Sequence, residues 1–277
     1  MAFERGGRTD KFGNRYEDRY VVNRMIALLR EQISSITIEP VGEDESGVDL
    51  LIDKGNGIQE FHQCKARNDD SDRWTLASLA KYKMFAHIRE HVKSKNEFYI
   101  WVSPLTFIGL SDLCTVARNS PSADIFYNFQ LSLERKKLFD QIRNRLGLSE
   151  SEDGVEQTLF YLQQIEFAQI PDNTLSAEMD CQNLESLFIG DGETIYDVLI
   201  NFPKRDYYGK PITALTLVQY LEQRGFQRRT YADNIKISAK IQDLNNEFAD
   251  WFHPIKEFLF ETVAAQRIIQ NIENETN

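Results

Sequence analysis

Cysteine is scarce in this chain: Cys64, Cys114 and Cys181 form an odd set with no CxxC pair. That excludes a disulfide scaffold and a cysteine-built zinc site, and it fits a reducing compartment. No apolar run approaches the roughly 20 residues that a membrane span needs. Residues 1–30 carry spaced arginines where a signal peptide would have an apolar core. A soluble cytoplasmic protein with no membrane partner is therefore expected. No phosphate-binding GxxxxGK(S/T) loop occurs, and there is no internal repeat or low-complexity tract. Lys and Arg are missing from residues 147–202, a stretch that holds twelve Asp and Glu.

What is present suffices for a core. The 277 residues are 42% hydrophobic and 27% charged, which suits one large domain or two smaller ones and argues against wholesale disorder. A net charge of −11 argues against a nucleic-acid partner for the chain as a whole. Its distribution alters that view. Residues 1–30 carry seven Lys/Arg against four Asp/Glu, and residues 65–95 carry eight against four. A DNA surface would have to be built from the first half, with the acidic stretch facing away. The plainer alternative is that these are ordinary solvated faces.

The chain is organised around Gly47 to Lys65, GVDLLIDKGNGIQEFHQCK. Val48 to Asp53 reads as a strand, Gly55-Asn56-Gly57 as a hairpin turn tolerant of positive φ, and Ile58 to Arg67 as the returning strand. Alternation puts Phe61, Gln63 and Lys65 on one face and His62, Cys64 and Ala66 on the other. Asp49 falls opposite the end of the second strand. A carboxylate, an amide and a lysine thus converge at one end of the hairpin.

Around it, residues 1–14 read as a loop or arm. Arg15 to Ile33 reads as an amphipathic helix and Ser35 to Val41 as a strand. Trp74 to Val92 is a second helix, with Asp72 or Thr75 as its cap, and Glu97 to Ser103 a buried strand. A helix between the third and fourth strands implies a crossover into parallel pairing, hence a mixed α/β layer. Further on, 105–119, 132–146, 155–164, 174–189 and 194–201 read as helices, 165–170 as extended, and 124–131 as ambiguous. Pro203, Gly209 and Pro211 mark a boundary: residues 1–205 as one domain, 206–277 as a helical linker or winged-helix-like segment. Helices are expected over 213–224, 233–252 and 255–272, with 226–231 a short wing or loop. The chain is expected to continue into a longer protein.

Asp49, Gln63 and Lys65 carry the chemistry. Mg²⁺, with Mn²⁺ as an alternative, takes hard oxygen ligands and keeps several waters. Asp49 would give a carboxylate, Gln63 an amide oxygen and Cys64 a backbone carbonyl. Lys65 would orient the attacking water or stabilise charge on a scissile phosphate. The plain alternative is a surface hairpin with a salt bridge. A further acid is offered by helix one. At 100° per residue, Asp18 falls near the middle of the apolar arc and Glu17 at its edge, so geometry favours Asp18. Arg8, Lys11, Arg15, Arg67 and Arg73 flank these elements as candidate phosphate contacts. His62 reads as a packed or hydrogen-bonded residue, and His87, His91 and His253 as having no ligand-like company.

GGRTDKFGNRYEDRYVV, SITIEPVGEDESGVDLLI, FHQCKAR and WVSPL together resemble the double-stranded DNA endonuclease domain found at the N-terminus of CBASS effector nucleases and of some antiviral STAND NTPases. That domain belongs to the PD-(D/E)xK superfamily, near its Mrr-like branch, and the likeness runs over about residues 5–105. It implies a restriction-endonuclease-like mixed sheet with an α-β-β-β-α-β core, supplemented here by further helices and a C-terminal helical segment. It implies that Glu17, rather than Asp18, is the helix-one acid, that Asp49 binds metal, and that Gln63 and Lys65 form the (D/E/Q)xK pair. Gln63 departs from the acid of the superfamily name, and an amide is the weaker metal ligand. The resemblance also implies activation by oligomerisation, with a sensor or NTPase region elsewhere in a longer chain.

Two readings from different classes follow. One is a Mg²⁺-dependent endonuclease acting on double-stranded DNA as the effector module of an anti-phage protein. The other is a non-catalytic nuclease-like module that drives self-association or binds DNA. An RNA-directed nuclease is a third, since the site chemistry does not read the sugar.

Overall fold

The computed structural model describes residues 6–42, 46–66, 72–171 and 177–230; side chains are described from residue 15, and from 178 in the last span. The chain divides into two units, Met1–Arg228 and Arg229–Asn277. The helices expected over 233–252 and 255–272 lie outside the described residues.

Helix α1 (Gly6–Leu29) leads into strands β1 (Ser35–Ile38), β2 (Leu50–Gly55) and β3 (Ile58–Cys64). Then come β4 (Arg73–Trp74), α2 (Leu76–Lys81), α3 (Met84–His91), β5 (Glu97–Ser103), β6 (Thr106–Phe107) and α4 (Leu110–Arg118). The chain continues through α5 (Ala123–Ile125), a π-helical turn at Phe126–Gln130, α6 (Leu133–Arg145), α7 (Glu152–Gln164) and β7 (Ile165–Gln169). The first unit closes with α8 (Ala177–Leu187), β8 (Phe188–Ile189), α9 (Gly192–Ile200), a 3₁₀ turn at Lys204–Tyr207, β9 (Pro211–Ile212), α10 (Ala214–Glu222) and β10 (Gln227–Arg228). This is the mixed α/β architecture expected, and α1 to β5 contains the α-β-β-β-α-β order.

The main sheet has six strands in the order β7-β5-β3-β2-β1-β9. β2 and β3 form the hairpin, with Leu50 opposite His62. Its turn holds Gly55, Asn56 and Gly57 at φ of 83°, 57° and 76°, which is why Gly and Asn occupy it. β3, β5 and β7 run parallel, as the intervening helices require. Two cores fill the two faces. One packs α1, α8, α9 and α10 through Tyr16, Tyr20, Met25, Leu28, Leu184, Leu199 and Leu217. The other is rich in aromatics, with Trp74 edge-on to both Tyr82 and Trp101 and the Trp74 indole N–H donating to Ser103 Oγ at 2.8 Å. Each fully buried Leu, Ile or Phe contributes about 1.5–3 kcal/mol.

Several local expectations shift. Helix α1 begins at Gly6, so the residues read as an arm are helical from there. A helix nucleated by its packed segment extends cheaply, about 1 kcal/mol lost per glycine relative to alanine. The single helix expected over 74–92 is broken at Lys83, which sits at φ 57°. No Gly or Pro announces that break; it leaves Tyr82 against the tryptophans while α3 buries Met84, Phe85 and Ile88. Thr75, one of the two expected caps, caps α2 in a capping box with Ser78.

The boundary expected near residue 205 falls inside the first unit. Gly209 donates its N–H to the Ile38 carbonyl, Pro211 and Ile212 pair with β1, and α10 buries Leu217 and Leu221 in the α1 core. Pro203, Gly209 and Pro211 shape a turn onto the sheet edge, and the division comes after Arg228. Gln227 and Arg228, read as wing or loop, pair with β8.

Candidate functional site

Asp49 stands just before β2, level with the carboxyl end of β3. Its approach is tightly held. Gly47 takes φ 70°, and a Cβ there would lie 2.4 Å from the His87 ring. The Tyr99 hydroxyl donates to the Gly47 carbonyl at 2.7 Å. The Asp49 N–H donates to His62 O at 2.8 Å, and its carbonyl accepts from Glu39 N–H at 3.0 Å. The backbone on both sides of Asp49 is thereby fixed.

The side chain is gripped as firmly. Asp49 Oδ2 accepts from Gln63 Nε2 at 2.5 Å and from the backbone N–H of Cys64 at 2.6 Å, and Lys65 Nζ stands 3.7 Å away. All three contacts meet at Oδ2, and none involves Oδ1. Gln63 is 5% exposed, whereas the Lys65 side chain is 31% exposed and reaches the surface. With its amide nitrogen committed to Asp49, Gln63 has its amide oxygen as the remaining ligand atom. Cys64 enters the cluster by its backbone; its thiol belongs to the core on the α1 side. Burial, then the Asp49 and Glu17 carboxylates, hold that thiol well above its ordinary pKa, so it is no nucleophile.

Glu17 completes the cluster from α1. Burial, then the negative charges of Asp49 and Glu39, push its pKa up to about 7, against the opposing pull of Lys65. Asp18, which the helical arc favoured, is instead ion-paired with Lys204 of the 3₁₀ turn. The arc argument failed because the Asp18 side chain is 45% exposed and turns to Lys204, distant in sequence, rather than into the core. Glu39 was not anticipated. It follows β1, and the β1–β2 pairing that sets Ile38 opposite Leu50 brings it beside Asp49. It adopts φ 44°, uncommon for a side chain with a Cβ. The EP step after SITI was the available signal.

The opposite face of β3 is a closed hydrogen-bonded set. Tyr20 Oη lies 2.7 Å from His62 Nδ1, His62 Nε2 lies 3.1 Å from Glu60 Oε2, and Lys54 donates to Glu60 at 2.9 Å. Burial would raise the Glu60 carboxyl, but the bonds from His62 and Lys54 outweigh it together and hold the pKa at about 2. His62 is buried, as expected of a packed residue.

The candidate phosphate contacts are only partly described. Arg15 is exposed on α1 and Arg73 is exposed on β4. The side chains of Arg8 and Lys11, and all of Arg67, lie outside the described residues. One reading needs correction: His87 and His91 do have ligand-like company. With Glu90 they bring one ligand atom each within 4.8 Å of one another. The spacing was visible in HIREH; what the sequence alone did not show was the Ser46–Gly47 segment against which those rings pack. His253 lies outside the described residues. Among the described residues, no helix is long and apolar enough to cross a membrane.

No protein-family model matches this chain, and no curated protein matches it. Among solved structures, a Cap4 SAVED/CARF-domain containing receptor from Moraxella osloensis is 15% identical at a TM-score of 0.44, over 79% of this chain and 47% of that one. The Acinetobacter baumannii Cap4 SAVED/CARF-domain containing receptor, solved with the cyclic trinucleotide 3'3'3'-cAAA, is 14% identical at a TM-score of 0.46, over 76% of this chain and 44% of that one. The same receptor with 2'3'3'-cAAA is 15% identical at 0.46, over 80% and 46%. This chain spans less than half the length of each receptor. The likeness is weak, and the chemistry of the site stands apart from it.

Proposed function

We propose that this chain is a metal-dependent double-stranded DNA endonuclease, the effector module of a bacterial anti-phage protein. The carrying observation is the meeting of Gln63, the Cys64 N–H and Lys65 on one oxygen of Asp49, with Glu17 held near pKa 7 beside it. Burial, then the charges of Asp49 and Glu39, raise the Glu17 pKa, so the cluster is short of positive charge, and a divalent cation would relieve that shortage. Oxygen donors and the absence of a soft ligand suit Mg²⁺, or Mn²⁺ in its place.

Glu17, Asp49, the Gln63 amide oxygen and the Cys64 carbonyl would hold the ion. Bound there, it would polarise a phosphoryl oxygen and lower the pKa of a coordinated water. Lys65 places an ammonium where charge develops on the scissile phosphate, or orients the water that attacks it. Gln63 and the Cys64 N–H keep Asp49 from turning away. Arg15 and Arg73, with Arg8, Lys11 and Arg67, would hold the DNA backbone and confer no sequence preference. The excess of acid beyond residue 146 would keep DNA from the remainder of the surface. Self-association as the trigger, and a sensor or NTPase region elsewhere in a longer chain, belong to the same proposal and rest on the sequence resemblance.

One observation favours the second reading, a non-catalytic module. Asp49 Oδ2 is saturated by protein donors, as a purely structural carboxylate would be. Supercoiled plasmid incubated with Mg²⁺, and with EDTA, separates the two when wild type is compared with Lys65→Ala at concentrations where light scattering shows assembly. Nicking or linearisation by wild type alone supports the nuclease. Salt-dependent DNA binding without cutting by the assembled wild type supports the non-catalytic module. Equal cutting by both forms removes Lys65 from catalysis. An RNA duplex in parallel tests the sugar.

A further inference from the structure

On α3, His87, Glu90 and His91 stand at positions i, i+3 and i+4, which share one helix face. One ligand atom from each lies within 4.8 Å of the others. Around a tetrahedral ion, bonds of roughly 2.0–2.2 Å set neighbouring ligand atoms about 3.3–3.6 Å apart. His87 Nδ1 and Glu90 Oε2 stand 3.8 Å apart, and the Glu90 side chain, 47% exposed, can move closer.

Both imidazoles are held in place. The buried His91 ring stacks on Phe61 at 4.8 Å between centroids and on Tyr99 at 6.3 Å. His91 Nε2 lies 2.7 Å from the Ser46 carbonyl, which can only accept, so Nε2 carries the proton and Nδ1 keeps the lone pair. A second ring nitrogen tied to a carbonyl is the usual outer support of a metal-bound histidine. His87 lies over Gly47, where no larger residue fits. Its Nδ1 is 3.2 Å from Ser46 Oγ and 3.8 Å from Glu90 Oε2, and the hydroxyl contact would be the one exchanged.

We infer that His87, Glu90 and His91 form a site for a transition-metal dication of the zinc class, separate from the Asp49 cluster. Two imidazoles and one carboxylate suit Zn²⁺ or Co²⁺ and disfavour Mg²⁺. Three protein ligands leave a fourth position for water. An ion there would be held by α3 alone, with the His91 bond to the Ser46 carbonyl as the remaining polar tie to the segment that leads into Asp49. This inference does not rest on DNA cleavage.

The test uses the full chain, freed of metal with EDTA and titrated with Zn²⁺ by calorimetry and with Co²⁺ by visible absorption. The three cysteines are buried and compete little. One equivalent should bind at α3, with the intense d–d bands of tetrahedral Co²⁺, distinct from any weak-banded octahedral binding at the Asp49 cluster. Affinity should fall at least about tenfold in His87→Ala and in the exposed, fold-neutral Glu90→Gln, while Lys65→Ala should bind Zn²⁺ as wild type does. Absence of the Co²⁺ bands, or binding indifferent to both α3 variants, would overturn the site and leave the two histidines as a hydrogen-bonding clamp on Ser46.

Discussion

The short segment Ser46 to Asp49 is gripped at its two ends by opposite kinds of chemistry. At Ser46 two imidazoles approach from α3, one bonding the carbonyl and the other the hydroxyl. At Asp49 an amide, a backbone N–H and an ammonium converge on one carboxylate oxygen. The first end offers nitrogen lone pairs. Burial lowers the His87 pKa, which favours the neutral ring. The second end holds acids that repel one another, and Glu17 carries that cost. On the proposals made for the two ends, one would suit a borderline metal and the other a hard one. A helix sets the spacing of the first; strand pairing sets the second.

The sharpest way to break the comparison is Lys65→Ala. If the Asp49 end is catalytic, Mg²⁺-dependent plasmid cleavage should fall about 10²–10³-fold with the circular-dichroism spectrum unchanged. Retained cleavage would make both ends structural.

Glu17→Gln sharpens the comparison through pH. The folded-state pKa of Glu17, about 7, lies above the ordinary 4.5, so its stabilising protonated form is fully present below about 4.5 and lost as pH rises through about 7. Removing the charge should stabilise the metal-free chain by on the order of 3 kcal/mol at pH 8 and by less than about 1 kcal/mol at pH 5. Urea denaturation at the two pH values reads this, and saturating Mg²⁺ should narrow the difference. An equal effect at both would show that Glu17 is not desolvated beside Asp49.

Asp49→Ala should cost about 2–3 kcal/mol, because the buried Gln63 amide and the Cys64 N–H lose their acceptor. A cost under about 0.5 kcal/mol in urea denaturation would mean that water replaces the carboxylate. Smallest, His91→Phe keeps the stacking on Phe61 and Tyr99 but loses the bond to Ser46, at about 1 kcal/mol. Its melting temperature should drop by a few degrees. No drop at all would show that Ser46 is held by packing alone.

Much of the Asp49 end was readable from local rules. GNG announced the turn, alternation put Gln63 and Lys65 on one face, and the helical stretch between β3 and β5 announced a parallel pair. The α3 end was less so, since HIREH is an ordinary surface word until Gly47 is seen to run beneath His87. The choice between Glu17 and Asp18 turned on Lys204, and Glu39 joined the cluster only through the β1–β2 register. The boundary near residue 205 was misplaced for a related reason: Pro and Gly mark a change of direction equally in a linker and in a turn onto a sheet edge.

Sequence alone therefore determined the central hairpin, its faces and the parallel crossover beside it, because turn chemistry and side-chain periodicity act over a few residues. Tertiary structure decided which charges met. Whether a carboxylate is paired, as Asp18 is, or crowded, as Glu17 is, depends on neighbours contributed from across the chain, and Coulomb interactions follow distance in space rather than separation in sequence.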